Sequence, residues 1–161
     1  MKKTALQKNI FAAYLLFIGI LVGVELSVGA LVAPVIFYPT SFLGEGVLTH
    51  FQSGILMTQI FLRFNLLLMV ITLFLLSFEV YIYFSKRFDF IGAVFLFIAL
   101  VGSLLFVLYF TPYIVDAQKL GAAATASEEF RNIHKASELV IKVVLFAQIA
   151  LFFRRIWVEF K

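Results

Sequence analysis

The apolar run VGVELSVGALVAPVIF, residues 22–37, carries an acid, Glu25, inside it. A carboxylate in such surroundings has three uses. It can form a buried ion pair, it can bind a proton or cation in transport, or it can stay protonated because burial disfavours its charged form. An isolated charge inside a membrane costs several kcal/mol, so a partner or a proton is expected. Arg63 and Lys142 are the candidate partners, and Glu25, Arg63, Asn65, Glu138 and Lys142 form a candidate polar-interior or ion site. A second constellation is His134 and Glu138, spaced i, i+4 on one helix face, where the two could share one metal ion. His50 could supply a third ligand, and His50 with His134 could instead ligate a haem. The bland alternative is an interfacial histidine hydrogen-bonded to a carboxylate.

Other chemistry is excluded. The chain has no cysteine, which removes disulfides, Fe–S ligation, covalent c-type haem and a thiol nucleophile. It holds no GxSxG, P-loop, HExxH or paired Asp-rich motif, so no catalytic residue is assigned. No basic patch interleaved with aromatics suggests nucleic-acid binding.

The elements that must position these residues are membrane helices. Hydrophobic residues make up 63% of the 161 and charged residues 14%, with a mean hydropathy of +1.08. A soluble domain is about half apolar and a quarter charged. Four segments reach the roughly 20 residues needed to cross a bilayer: about 10–38, 55–84, 88–110 and 137–158, joined by connections at 39–54 and 111–136. The expected fold is all-α, a single four-helix transmembrane bundle. The N-terminal apolar run is too long for a secretory signal and reads as a retained signal-anchor helix.

Lys2, Lys3 and Lys8 precede the first span, Lys86 and Arg87 follow the second, and Arg154, Arg155 and Lys161 follow the fourth. The connection at 39–54 has neither Lys nor Arg. The positive-inside rule then predicts cytoplasmic termini, and Lys-rich ends without a targeting peptide suggest an inner (cytoplasmic) membrane. Pro34 and Pro39 are expected to end the first helix and Pro112 to open the third connection. A capping box at Thr125–Glu128 predicts that the fourth helix begins before the membrane.

Periodicity assigns faces. His134, Ser137, Glu138, Lys142 and Gln148 fall within an arc of about 140° and should line the bundle interior. Thr58, Asn65, Thr72 and Glu79 recur every seven residues and read as packing glue, with Glu79 a solvated end. Gln52, Gln59 and Arg63 form a second stripe. On the first helix Gly19-xxx-Gly23-xxx-Ser27 and Glu25-xxx-Gly29-xxx-Ala33 predict contacts on two faces. The third helix is the most lipid-like. At 1.5 Å per residue, Glu25 lies about 25 Å from Lys8, so Glu25, Arg63, His134, Glu138 and Lys142 could meet in one half of the bundle.

The stretch Val28-Gly-Ala-Leu-Val-Ala-Pro-Val-Ile-Phe37 resembles the glycine, Ala-Pro and phenylalanine stretch of a family of small four-helix membrane proteins. Gly46-x-x-x-x-Phe51, Thr111-Pro112 and Phe130-x-x-x-His134-x-x-Ser137 are similar to its later motifs, in the same order. The family is domain of unknown function 4149, and it resembles more distantly copper-resistance-D-like and haem-pathway membrane proteins. The resemblance marks Ala33, Pro34, Phe37, Gly46, Phe51, His134 and Ser137 without assigning them roles. Where the family pattern carries an Asn after the His/Ser pair, this chain reads Ile141-Lys142.

Three functions follow as expectations. The first is a non-enzymatic protein binding or moving a small ion, metal or cofactor through a polar interior. The second is an accessory or assembly subunit that docks a membrane-protein partner or a second copy of itself. The third is a haem- or copper-binding redox protein. The lipid bilayer is the surrounding partner in each.

Overall fold

The computed structural model describes residues 4–85 and 88–160. Lys2, Lys3, Lys86, Arg87 and Lys161, part of the orientation reading, lie outside the described residues. The described residues form helices and no strand: α1 (Ala5–Phe37), α2 (Thr40–Leu43), α3 (His50–Phe84), α4 (Phe90–Lys119), α5 (Ala122–Thr125) and α6 (Glu128–Phe160). Of these, α1, α3, α4 and α6 are long and apolar enough to cross a membrane, with apolar windows of mean hydropathy 2.4, 2.3, 2.8 and 2.0. The protein is a multi-pass helical bundle. Both described ends of the chain, Ser85 and Asp89 share one end, the termini end; the connections after Phe37 and after Lys119 share the other, the loop end.

The helices outrun the apolar segments because polar caps start them early. Thr4 and Gln7 form a reciprocal capping box on α1, and Thr49 and Gln52 form another on α3. On α6 the Ser127 hydroxyl accepts from the Phe130 amide at 3.1 Å. The cap is thus Ser127, and Thr125 instead donates to the Ala122 carbonyl within α5.

Two prolines do less than expected. Neither Pro34 nor Pro112 ends its helix; each follows a single wide π-helical stretch, Val28–Val32 in α1 and Phe106–Phe110 in α4. Proline withholds an N–H and crowds the preceding turn, and widening that turn absorbs the conflict without breaking the helix. In α4 the Phe106 carbonyl at this irregular turn accepts from the Thr111 hydroxyl at 2.9 Å, and Asn65 of α3 donates to Thr111 at 2.9 Å. The heptad stripe on α3 is therefore glue in fact: Thr58, Asn65, Thr72 and Glu79 are all buried.

The small-residue seam lies on α4, which packs against α6. Gly92, Ala99, Gly102 and Ser103 are buried, and a Cβ at Gly102 would run into the Val144 side chain. The third span is thus the one drawn closest to a neighbour, whatever its outer face meets. The Gly19, Gly23 and Ser27 face of α1 is exposed instead, so α1 is contacted on one face, through Tyr14, Ile18, Leu21, Glu25 and Val28. Replacing Gly102 with leucine should overpack this seam and cost about 1–3 kcal/mol, read as a lower midpoint in detergent-solubilised unfolding.

The termini end is closed by buried charges. Tyr14 of α1 donates to Glu79 of α3 at 2.7 Å, and Arg155 of α6 donates to the second Glu79 oxygen. Glu79 is therefore buried, at 7% exposure, and is not the solvated end its position suggests. Arg154 grips Asp89 with two nitrogens, at 3.0 and 2.7 Å, while Asp89 caps α4 by accepting from Gly92 at 3.1 Å. Arg155 also lies 3.8 Å from Asp89, and a Cβ at Gly92 would stand 2.7 Å from Asp89 and 3.0 Å from Arg155.

Those Arg154 hydrogen bonds hold the Asp89 carboxyl below the usual carboxylate range, outweighing burial. A depressed folded value contributes stability that is present above the unfolded carboxyl pKa of about 3.9 and is lost as pH falls through the lower folded value. Thermal unfolding of the detergent-solubilised protein should show this loss below about pH 4. Asp89→Asn keeps the helix cap without the charge, and its melting temperature should depend less on pH over that range.

Candidate functional site

Between α1, α3, α4 and α6, towards the loop end, lies a cavity of about 850 Å³. This is within the range of about 300–1,000 Å³ found for pockets that bury drug-sized molecules. Its wall is mostly apolar, with Met57, Phe61, Phe64, Phe106, Ile141 and Leu145 among the lining residues. The last turn of α4 and the short helix α5 line it with Gln118, Ala122 and Thr125, and Gln118 is held by its 2.9 Å hydrogen bond to Thr58.

Glu25 lies at the deep end of this cavity, 8% exposed. It reaches that place because Tyr14, Ile18, Leu21 and Glu25 recur at i, i+4, i+7 and i+11, the inward stripe of α1. One carboxylate oxygen, Oε1, accepts from Gln148 Nε2 of α6 at 3.0 Å, and the other, Oε2, is buried without a hydrogen-bond partner. Gln148 Oε1 likewise has none. Buried polar atoms are nearly always satisfied, so Glu25, a cavity-lining residue with one carboxyl oxygen unserved, has unused hydrogen-bonding capacity.

The expected partners of Glu25 are elsewhere. Arg63 is exposed on α3, where its Nη1 donates to the Gln59 carbonyl at 2.7 Å. Lys142 lies 3.6 Å from Glu138 with its side chain 64% exposed. Among the described residues no cation pairs with Glu25. The physical reason is reach and cost: α6 presents Gln148 at the level of Glu25, and the Lys142 ammonium is six residues, about 9 Å, nearer the loop end, where water is available. Asn65 is outside the cavity wall, committed to Thr111.

His50, His134, Glu138 and Lys142 all border the cavity. His134 Nε2 is 3.3 Å from Glu138, and its ring stacks on Phe130 with centroids 5.8 Å apart. His50 packs against Phe37 at 5.4 Å. Among the described residues no group of three or more His, Asp or Glu is placed to hold a metal ion. The His50–His134–Glu138 ligand set is therefore not assembled: His134 and Glu138 meet, and His50 stands apart. Of the residues marked by family pattern, Ala33, Phe37, Phe51, His134 and Ser137 line the cavity.

Periodicity missed the buried clasp of Tyr14, Glu79, Asp89 and Arg155. Paired arginines at a helix end read as membrane anchors, and only the three-dimensional meeting of α1, α3 and α6 turns Arg155 inward. Gln148 was legible as part of the inward arc of α6 but not as the partner of Glu25.

The model of the family described as domain of unknown function (DUF4149) matches residues 16–123. No curated protein and no solved structure matches the chain.

Proposed function

The chain belongs to the family of domain of unknown function 4149, and on that premise we propose that it is a non-enzymatic membrane protein whose cavity binds a small molecule, cofactor-sized, through Glu25. The observation that carries this reading is that Glu25, buried, with one carboxyl oxygen unserved and no cationic partner among the described residues, lines a cavity of about 850 Å³. An ion-pair brace would place a cation beside Glu25; here its side-chain partner is the neutral Gln148 amide. A bare ion or metal is less well served, because the wall is mostly apolar and offers no third ligand. With termini in the cytoplasm, as the Lys and Arg distribution suggests, the cavity belongs to the outer half of a cytoplasmic membrane and its cargo enters from that side.

Purification in a mild detergent followed by mass analysis of the extract, an absorption spectrum and metal analysis tests the proposal. A near-stoichiometric small molecule is expected. Gly54→Phe should deplete it, because a Cβ at Gly54 meets only the Gln118 amide at 3.6 Å and a ring there enters the cavity. A Soret band or bound copper would identify a haem or copper cargo and restore the redox reading. A folded protein that carries nothing and is stabilised by no apolar probe would sink the proposal.

A second reading, an accessory subunit, has its own support. Gln59 and Arg63 on α3, and Gly19, Gly23 and Ser27 on α1, are exposed within the spans, and polar or small residues there are expected to meet protein. Cross-linking from Gln59 in intact membranes should capture a partner or a second copy under this reading, and lipid alone would end it.

A further inference from the structure

The chemical class of the cargo follows from the charges around the same cavity, and so rests on the binding reading above. The ionisable side chains on the wall are Glu25, His50, His134, Glu138 and Lys142. Glu138 already faces two partners, His134 at 3.3 Å and Lys142 at 3.6 Å. These belong to the rim: counted along α6 from Gln148, Lys142 is about 9 Å and His134 about 21 Å nearer the loop end. Glu25 is the acid with no cation among the described residues, and it lies deepest. Six phenylalanines, Phe37, Phe51, Phe61, Phe64, Phe106 and Phe130, share the wall. Aromatic faces attract a cation, and desolvation strengthens that attraction.

We infer that the cavity takes a lipophilic cation, an ammonium on an apolar body, with the positive end at the Glu25 carboxyl group and the body among the phenylalanines. A neutral apolar molecule would leave Glu25 without a counter-charge, and an anion would be repelled by it. The ammonium can come from an aminolipid of the bilayer or from a free amine.

The test uses the full chain in a maltoside detergent at neutral pH, with decylammonium and its neutral isostere decanol as probes, read by thermal shift and native mass spectrometry. Decylammonium should bind at least tenfold more tightly than decanol, and Glu25→Gln should erase that preference. Equal binding of the two probes by the natural protein overturns the inference while leaving the cavity a binding site, and that comparison needs no variant to fold. A preference retained in Glu25→Gln also overturns it. Binding of neither probe removes this inference and the binding reading together. In extracts from native membranes, an aminolipid or a free amine supports the inference and names its source; a molecule without an ammonium overturns it.

Discussion

Replacing Arg155 with alanine should lower the unfolding free energy by about 3–5 kcal/mol, the usual cost of removing one partner from a buried ion pair. Arg155 is 4% exposed and Glu79 7%, so the stranded carboxylate has little water to turn to. It would keep the 2.7 Å hydrogen bond from Tyr14, which is too little to compensate a full charge. The loss should appear as a large drop in the midpoint of denaturant unfolding in detergent. Arg155→Met combined with Glu79→Leu should cost less than either single change, because removing both charges leaves none unpaired. An Arg155→Ala protein as stable as the natural one would show that the termini-end clasp is not a brace.

Glu25→Gln should behave in the opposite way. It removes a buried acid that has one hydrogen bond and an orphan oxygen. The amide oxygen can still accept from Gln148. Leaving a buried polar atom unsatisfied costs about 1–3 kcal/mol, more when it is charged, so the variant should be at least as stable as the natural protein. Its loss should be functional: occupancy of the cavity by the co-purified molecule should fall at least tenfold. The two buried carboxylates are thus distinguished by experiment. Glu79, paired on both oxygens, should cost stability when its partner goes. Glu25, satisfied on one, should cost binding. A Glu25→Gln protein that unfolds readily would make Glu25 a brace after all.

Much of this was readable in the residues. Long apolar segments with charged ends dictate membrane helices, and the inward arc of α6 followed from periodicity, because a polar residue in lipid must face protein or water. Thr58, Asn65 and Thr72 of the heptad on α3 are buried as the same reasoning expects, whereas Glu79, expected to be a solvated end, is buried as well. What periodicity could not supply was register between helices. Gly19 and Gly23 have the spacing of a packing motif and yet are exposed, whereas Gly92 and Gly102, ten residues apart, form the tight seam with α6. Spacing within one helix cannot say which neighbour comes close. Nor could it pair Glu25: arginine and lysine are chemically the better partners, but the geometry offers Gln148 at that depth. The prolines misled in a similar way. Their cost to a helix is real, yet a widened turn, with Thr111 and Asn65 serving one of its carbonyls, let α4 run on to Lys119.

The most direct measurement is an experimental structure of the full chain in lipid nanodiscs, at a resolution that shows the side chains between α1, α3 and α6. The account predicts elongated non-protein density in the cavity, ending within hydrogen-bonding distance, about 3.2 Å or less, of Glu25 Oε2. A cavity closed by inward movement of the helices, or Glu25 turned to pair with Arg63 or Lys142, would contradict it.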